Sequence, residues 1–285
     1  MPDSPLITAD SPKEAPTTAF LEFAREHDRL ITFHLYIIYS ALAIGKIGLE
    51  SIGLDDSTKA GLAEIRKRLN PAGTRDPYPD EVIYHFHDSL LAEMLVARHV
   101  DNFLAYVVQL LTLVFAACPE LLRSQEQVRL DFVLSHPDKD SLVRALIERR
   151  VDRLAYLGIR DLDKDIQDRL GFSLFATPED LETAVTLIEI RNVIVHNRGI
   201  VSKVAASRCP TLAPELGKRV GLTTDKVIKH RPFFGKLVLE IDARAVKKFG
   251  IRPAGLLSAQ ESTEPTKQPQ QPSSAAGAPT DSTGA

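Results

Sequence analysis

The chain of 285 residues has only two cysteines, Cys118 and Cys209. Neither has metal-ligand spacing with a histidine or with the other. A disulfide framework and a zinc finger are thereby excluded, and two free thiols in a reducing compartment are expected. Net charge is also scarce. A formal balance of −3 excludes a generally basic coat for nucleic acid and leaves room for a local basic cleft. The opening "MPDSPLITADSPKEAPTT" lacks a positive start followed by an apolar stretch, so a secretory signal is not expected and a cytoplasmic setting is. Residues 31–45 and 102–119 carry no formal charge at all. The second run is 18 residues long, the lower edge of a membrane span. Asn102, Gln109 and Pro119 weaken that reading in one run, and His34, Tyr36 and Tyr39 weaken it in the other. Both read as buried helices of a bundle, with a membrane-associated helical protein as the third and most distant reading of the chain; no membrane partner is expected.

What is present is ordinary for a globular chain: 44% hydrophobic and 26% charged residues. Residues 1–17 are rich in Pro, Ser and Asp, and a disordered N-terminus is expected there. Residues 253–285 lack aromatics and are rich in Pro, Ser, Thr, Gln and Ala. Such a segment cannot bury enough apolar surface to offset its ordering entropy, so a disordered tail is expected. Residues 18–252 form the helical domain, and no internal repeat is found.

Within that domain the apolar spacing predicts an all-α, up-and-down bundle with one minor strand near its C-terminal end. Helices are expected over 20–49, 56–69 and 80–117, the last capped by Asp80, with Val82, Phe86, Leu90 and Met94 on one stripe. Further helices follow over 141–157, with Leu142, Ala145 and Leu146 on one side, and over "GIRDLDKDIQDRLGF", ending at Gly171. Thr177 is placed to cap a helix with Pro178 in its first turn and Asp180 three residues on. Leu181, Val185, Ile188 and Val195 continue that helix at the 3.6 period. "GKLVLEID" alternates as a short strand would, and "ARAVKKFG" reads as a final helix stopped by Gly250.

One helix carries an unusual load. In "IEIRNVIVHNRGIV", residues 188–201, Arg191, Asn192, His196, Asn197 and Arg198 interrupt a Val/Ile run. Asn192 and His196 are four apart and share a face, on a stripe that also holds Glu189. Arg191 lies about 140° round the axis from His196. So many polar groups cannot be buried singly without a large desolvation cost. They must pair with one another, face water, or face a second copy of the chain.

The stretch "RNVIVHNRG" resembles the signature of the HEPN superfamily: an Arg, a polar residue, three more residues and then a His, late in a helical bundle. The upstream "LVRALIERRVDRLAYLGIRDLDKDIQDRLGFSLF" resembles the helices before that signature in bacterial HEPN proteins. The likeness extends over about 138–250. It implies a metal-independent endoribonuclease, with no cofactor, in which the Arg and His of two protomers converge at a two-fold interface. By residue matching, His196 does acid–base work, Arg191 meets transition-state charge and Asn192 positions. The chemistry suits the residues. A histidine transfers protons at neutral pH, and a guanidinium fork stabilises charge on a crowded phosphate. RNA and a second copy of the chain are the implied partners. An antitoxin or defence-system partner comes only from the company the family keeps. The alternative is a non-catalytic HEPN module for dimerisation and for nucleotide, RNA or protein binding. A purely structural cluster, with Arg191 paired to Glu189 or another acid, also remains open.

Other candidates are secondary. Asn197 and Arg198 extend the motif toward RNA. Arg144, Arg149, Arg150, Arg153 and Arg160 form a basic patch near Asp152 and Glu148 that is either a salt-bridged face or a second RNA contact, with Arg149, Arg150 and Arg153 the candidate contacts. Asp161, Asp163 and Asp165 resemble the start of a calcium loop, but no Gly follows Asp165 and Phe172 stands where the loop needs Glu. His85 and His87 are two apart and point to different helix faces. Arg129 and His136 form another spaced Arg/His pair, but Pro137 ends that segment and no polar residue follows the Arg. No metal site is expected.

Overall fold

A 30-residue helix, α3 (Asp88–Ala117), forms the centre of the protein. It contains the uncharged run, and its length and apolar composition alone would suffice to cross a membrane. Its packing gives it another role. Ala92, Val96, Val100, Phe103, Val107, Leu110 and Val114 recur at helical spacing and are buried. In the computed structural model, which describes residues 16–47, 53, 55–69, 88–122, 127–252 and 254, α3 is flanked by helices of the same chain. These are α1 (Thr18–Ile47), α5 (Lys139–Ala155), α7 (Pro178–Asn197) and α9 (Thr224–Phe249). Between them run α2 (Asp56–Leu69), the short α4 (Leu130–Leu134), α6 (Ile159–Leu170) and α8 (Lys203–Arg208). Among the described residues there is no strand, only an isolated bridge between Ile200 and Arg219. The protein is all-α.

The helix limits follow local chemistry. Asp138 caps α5 and exchanges hydrogen bonds with Ser141, a reciprocal capping box. Gly171 and Gly250 end α6 and α9 in the left-handed conformation that glycine adopts without a Cβ penalty. The cap of α7 is as expected: the Thr177 hydroxyl accepts from the Asp180 amide, and Pro178 stands in the first turn.

Three expectations need correction. Residues 236–242 are not a strand; they lie inside α9, with Phe234, Leu237, Val238, Ile241 and Ala245 buried on one stripe. The strand reading rests on the alternation of "GKLVLEID", and a short apolar run does not by itself separate strand from helix. Pro232 and Gly235, which disfavour a helix interior, do not end α9, because burial of that stripe outweighs them. On α3, Leu90 and Met94 are exposed at 50% and 56%. The core stripe instead runs through Ala92, about 200° round the axis from each. On α5 the buried residues are Ile147, Val151 and Leu154, while Leu142, Ala145 and Leu146 are only half-buried. Asp80, Val82, His85, Phe86 and His87 lie outside the described residues.

The start of the described chain is tied to its last long helix. Asp242 on α9 accepts from the Thr17 amide at 3.1 Å, from the Thr17 hydroxyl at 2.5 Å and from the Tyr106 hydroxyl at 3.3 Å. Burial pushes the Asp242 carboxyl above its ordinary value of 3.8, against these hydrogen bonds. Burial and the Asp242 charge together hold the Tyr106 phenol well above its ordinary value of 10.0.

Candidate functional site

α7 lays Ala184, Val185, Leu187, Ile188 and Val193 into the core. The buried stripe stops at Val193, and Val195, about 200° further round, is 51% exposed. The last two turns of α7 therefore carry the polar cluster at the surface. Asn192 is half-buried, and His196, Asn197 and Arg198 are exposed. No described residue hydrogen-bonds the His196 ring, which stands open to solvent one turn beyond Asn192.

Arg191 reaches the other way, toward α3. Its Nε and Nη2 both donate to Asp101 Oδ1, at 2.9 Å and 2.8 Å. Its Nη1 donates to Asn192 Oδ1 at 3.3 Å. The acid that holds Arg191 is thus Asp101 and not Glu189 on its own helix. The contact with Asn192 draws the guanidinium round the helix toward the stripe shared by Asn192 and His196. Within the motif, Arg191 and Asn192 are joined through their side chains, and His196 is related to them by helical spacing alone.

The turn after α7 is built around two left-handed residues. Arg198 has φ 53° and Gly199 φ 79°. The amides of both return to the Val193 carbonyl. Arg198 is the one non-glycine with positive φ among the described residues, a conformation that costs a Cβ-bearing residue about 1 kcal/mol. Asn197 spends its side-chain amide within the turn, donating to the Ile200 carbonyl. Gly199 suits the turn by its φ, and its neighbours leave little room for a side chain. A Cβ there would sit 3.2 Å from Glu93 Oε1 and 3.3 Å from Arg219 Cγ.

That close approach brings a further cation to the motif. Residues 199–201 pair with 217–220: Val220 N–H donates to the Gly199 carbonyl at 2.8 Å, and Val201 N–H to the Lys218 carbonyl at 3.0 Å. Arg219 is thereby placed against the turn. It holds Glu93 of α3 with two parallel bonds of 2.8 Å, Nε to Oε1 and Nη2 to Oε2. Glu93 is 4% exposed, so its charge requires this partner. Glu93 and Asp101 lie two turns apart on α3, and each holds one arginine of the motif region.

The expected basic patch lies on a different helix. Arg150 is drawn into α6 by Asp165 at 2.7 Å, and Asp165 also accepts from Arg169 at 2.9 Å. Arg149 is exposed and rests over the Phe132 ring, 5.9 Å from its centre. Arg153 is exposed on the same helix. Asp163 accepts from the Ser173 hydroxyl and the Leu174 amide, which ties the loop after α6. Arg129 pairs with Asp131, and the His136 ring bonds the Phe132 carbonyl. Among the described residues no three His, Cys, Asp or Glu come together to hold a metal.

Sequence reasoning found the α7 cluster and missed Glu93, Asp101 and Arg219. For the two acids a signal existed. A lone carboxylate in a strongly apolar helix needs a cation partner. Arg219 had none, because nothing local announces that residues 217–220 fold back on 199–201. Comparison of the chain with protein-family models, with curated proteins and with solved structures returns no match.

Proposed function

We propose that the chain is a metal-independent endoribonuclease of the HEPN type, with an HEPN-like bundle over 138–250, acting as a two-fold homodimer in the cytoplasm. One observation carries the reading. At the end of α7 the Arg191 guanidinium is hydrogen-bonded to Asn192, and the exposed His196 imidazole follows one turn beyond Asn192 on the same stripe. The strained left-handed Arg198 directly after them adds to it, since backbone strain gathers at functional sites. Free thiols at Cys118 and Cys209 fit a reducing compartment.

In this reading the 2′-hydroxyl of RNA attacks the adjacent phosphorus, and the bond to the 5′-oxygen breaks. His196 takes the 2′-hydroxyl proton, and the 5′-oxygen receives one from the imidazolium of the second copy's His196. Arg191 meets the charge on the non-bridging oxygens, and Asn192 orients. Products carry a 2′,3′-cyclic phosphate and a 5′-hydroxyl. Asn197, Arg198, Arg149, Arg150 and Arg153 are the candidate RNA contacts, and Arg150 is the weakest because Asp165 already holds it. A role in toxin–antitoxin or antiviral defence, with a cognate partner, follows only from the family resemblance.

The test is cleavage of single-stranded RNA by wild-type protein in EDTA, beside His196→Ala and Arg191→Ala. Loss of about 10² to 10⁴ in rate is expected for His196→Ala, the usual share of general acid–base catalysis. DNA should be spared, since it lacks the nucleophile. Equal rates for all three proteins would assign the cleavage to a contaminant. Light scattering should give a dimer at micromolar concentration, and a monomer would remove the composite site. The second reading, a non-catalytic HEPN binding module, is favoured by one observation: Asp101 already occupies an edge of the Arg191 fork.

A further inference from the structure

A guanidinium has two edges that can each grip an oxyanion pair. The Nε–Nη2 edge of Arg191 is spent on Asp101 Oδ1. Its Nη1 makes one contact, to Asn192 Oδ1, at the long distance of 3.3 Å. Nη1 and Nη2 each carry two hydrogens, so the outer edge retains donors. The two side chains are 24% and 34% exposed, so the pair lies at the rim of the fold and not in the core. A long arginine side chain has many rotamers, and a carboxylate on one edge removes most of them before any phosphate arrives.

We infer that Asp101 on α3 is the positioning residue for Arg191: it grips one edge of the guanidinium and presents the other beside Asn192 for a phosphate. The inference rests on the ribonuclease reading and adds to it a residue 90 positions away on another helix. The arrangement is repeated next door. Glu93, on the same helix, fixes Arg219 against the turn after α7. α3 is thus more than the core of the fold; Glu93 and Asp101 set the direction of two cations at one surface. Asp101 touches no substrate in this scheme. It works by reducing the freedom of Arg191, at the cost of partly neutralising it.

Those two effects separate in kinetics. Releasing Arg191 leaves its charge uncompensated, which favours ground-state attraction to RNA, while the fork loses its orientation for the transition state. Asp101→Ala should therefore lower kcat about tenfold or more by loss of orientation. The Kd for a 2′-O-methyl oligoribonucleotide, which cannot be cleaved, should stay level or tighten. A merely structural residue would not lower kcat while leaving or improving binding. Asp101→Asn keeps an acceptor oxygen without the charge and should recover part of kcat; it also carries the test should Asp101→Ala fail to fold. The Arg191 Nε–H proton, resolved by ¹⁵N labelling and assigned with Arg191→Lys, should exchange slowly in wild type and fast in Asp101→Ala. Cleavage by Asp101→Ala at the wild-type rate or faster, with wild type active in EDTA, overturns the positioning role alone. A wild-type protein that cleaves no RNA removes the ribonuclease reading, and this inference with it.

Discussion

Arg191 on α7 closes on Asp101 of α3, with Nε and Nη2 both on Oδ1 at 2.9 Å and 2.8 Å. The pair is partly exposed and screened, so its stability contribution is of the order of 1 kcal/mol or less. Geometry is therefore its main consequence, and geometry depends on a planar fork. Arg191→Lys keeps the charge and replaces two directed edges by one ammonium. The variant should melt within a few degrees of wild type, since about 1 kcal/mol moves Tm by about 2–4 °C in a domain of this size. It should nonetheless lose most RNA cleavage. Retained activity in Arg191→Lys would mean that a point charge suffices and that the fork is incidental.

Arg198 offers a case where stability and binding should move in opposite directions. Its φ of 53° costs a Cβ-bearing residue about 1 kcal/mol, which glycine would not pay. Arg198→Gly should raise Tm by about 2–4 °C if flexibility gained in the unfolded chain does not cancel it. If Arg198 contacts a phosphate, RNA binding should weaken across sequences, and the slope of log Kd against log salt should fall by about 0.7 for single strands. A variant that melts lower and binds as before would show that the left-handed arginine serves the turn and not the ligand.

The contrast between what the residues announced and what they concealed has a physical basis. Thr177, Pro178, Gly171 and Gly250 act within one turn of themselves, so the ends of α6, α7 and α9 were readable. The all-α class was readable for the same reason. The strand expected at 236–242 failed because its short alternation is a local signal that long-range burial overrides: Leu237, Val238 and Ile241 all pack into the core from a helix. In the candidate site, the α7 cluster was visible because five polar residues in a Val/Ile run have few bland explanations. The partners were not. Arg191 to Asp101 spans 90 positions and Arg219 to Glu93 spans 126, and neither distance leaves a periodic trace.

The buried carboxyl of Asp242 should leave a pH signature in stability. Burial raises its folded value above 3.8, despite the bonds from Thr17 and Tyr106. The sign follows from linkage. A group with a raised folded value gives its full contribution below the unfolded value and loses it as pH rises through the folded one. Ionising Asp242 thus costs the folded state between pH 3.8 and its raised value. Asp242→Asn cannot ionise, so its unfolding free energy should improve relative to wild type as pH rises through that window and run parallel above it. Chemical denaturation of both proteins from pH 4 upward checks this. A difference that stays flat, or that moves toward wild type, would mean that the hydrogen bonds outweigh burial.

The ends of the chain give a prediction with a sharp edge. Residues 1–15 and 256–285 are rich in Pro, Ser and Ala and offer little apolar surface for a core. Just inside them the chain is tied down. Pro16 accepts a backbone hydrogen bond from Ala254 at 3.1 Å, and Thr17 meets Asp242 with both its amide and its hydroxyl. The same hydroxyl accepts from the Phe20 amide at 3.1 Å, which makes Thr17 the cap of α1. Removal of 1–15 and 256–285 should leave Tm within a degree or two of the full chain. Thr17→Val keeps the shape of the side chain and deletes the hydroxyl. It should cost about 2 kcal/mol, combining a lost cap with a buried carboxylate short of one donor. That corresponds to a fall of about 4–8 °C. Thermal melts of the trimmed chain, the point variant and the full protein, in one buffer, separate the two cases. A trimmed chain that melts many degrees lower would place one of these segments on the body, and the boundary of the helical domain would move outward from residues 18–252.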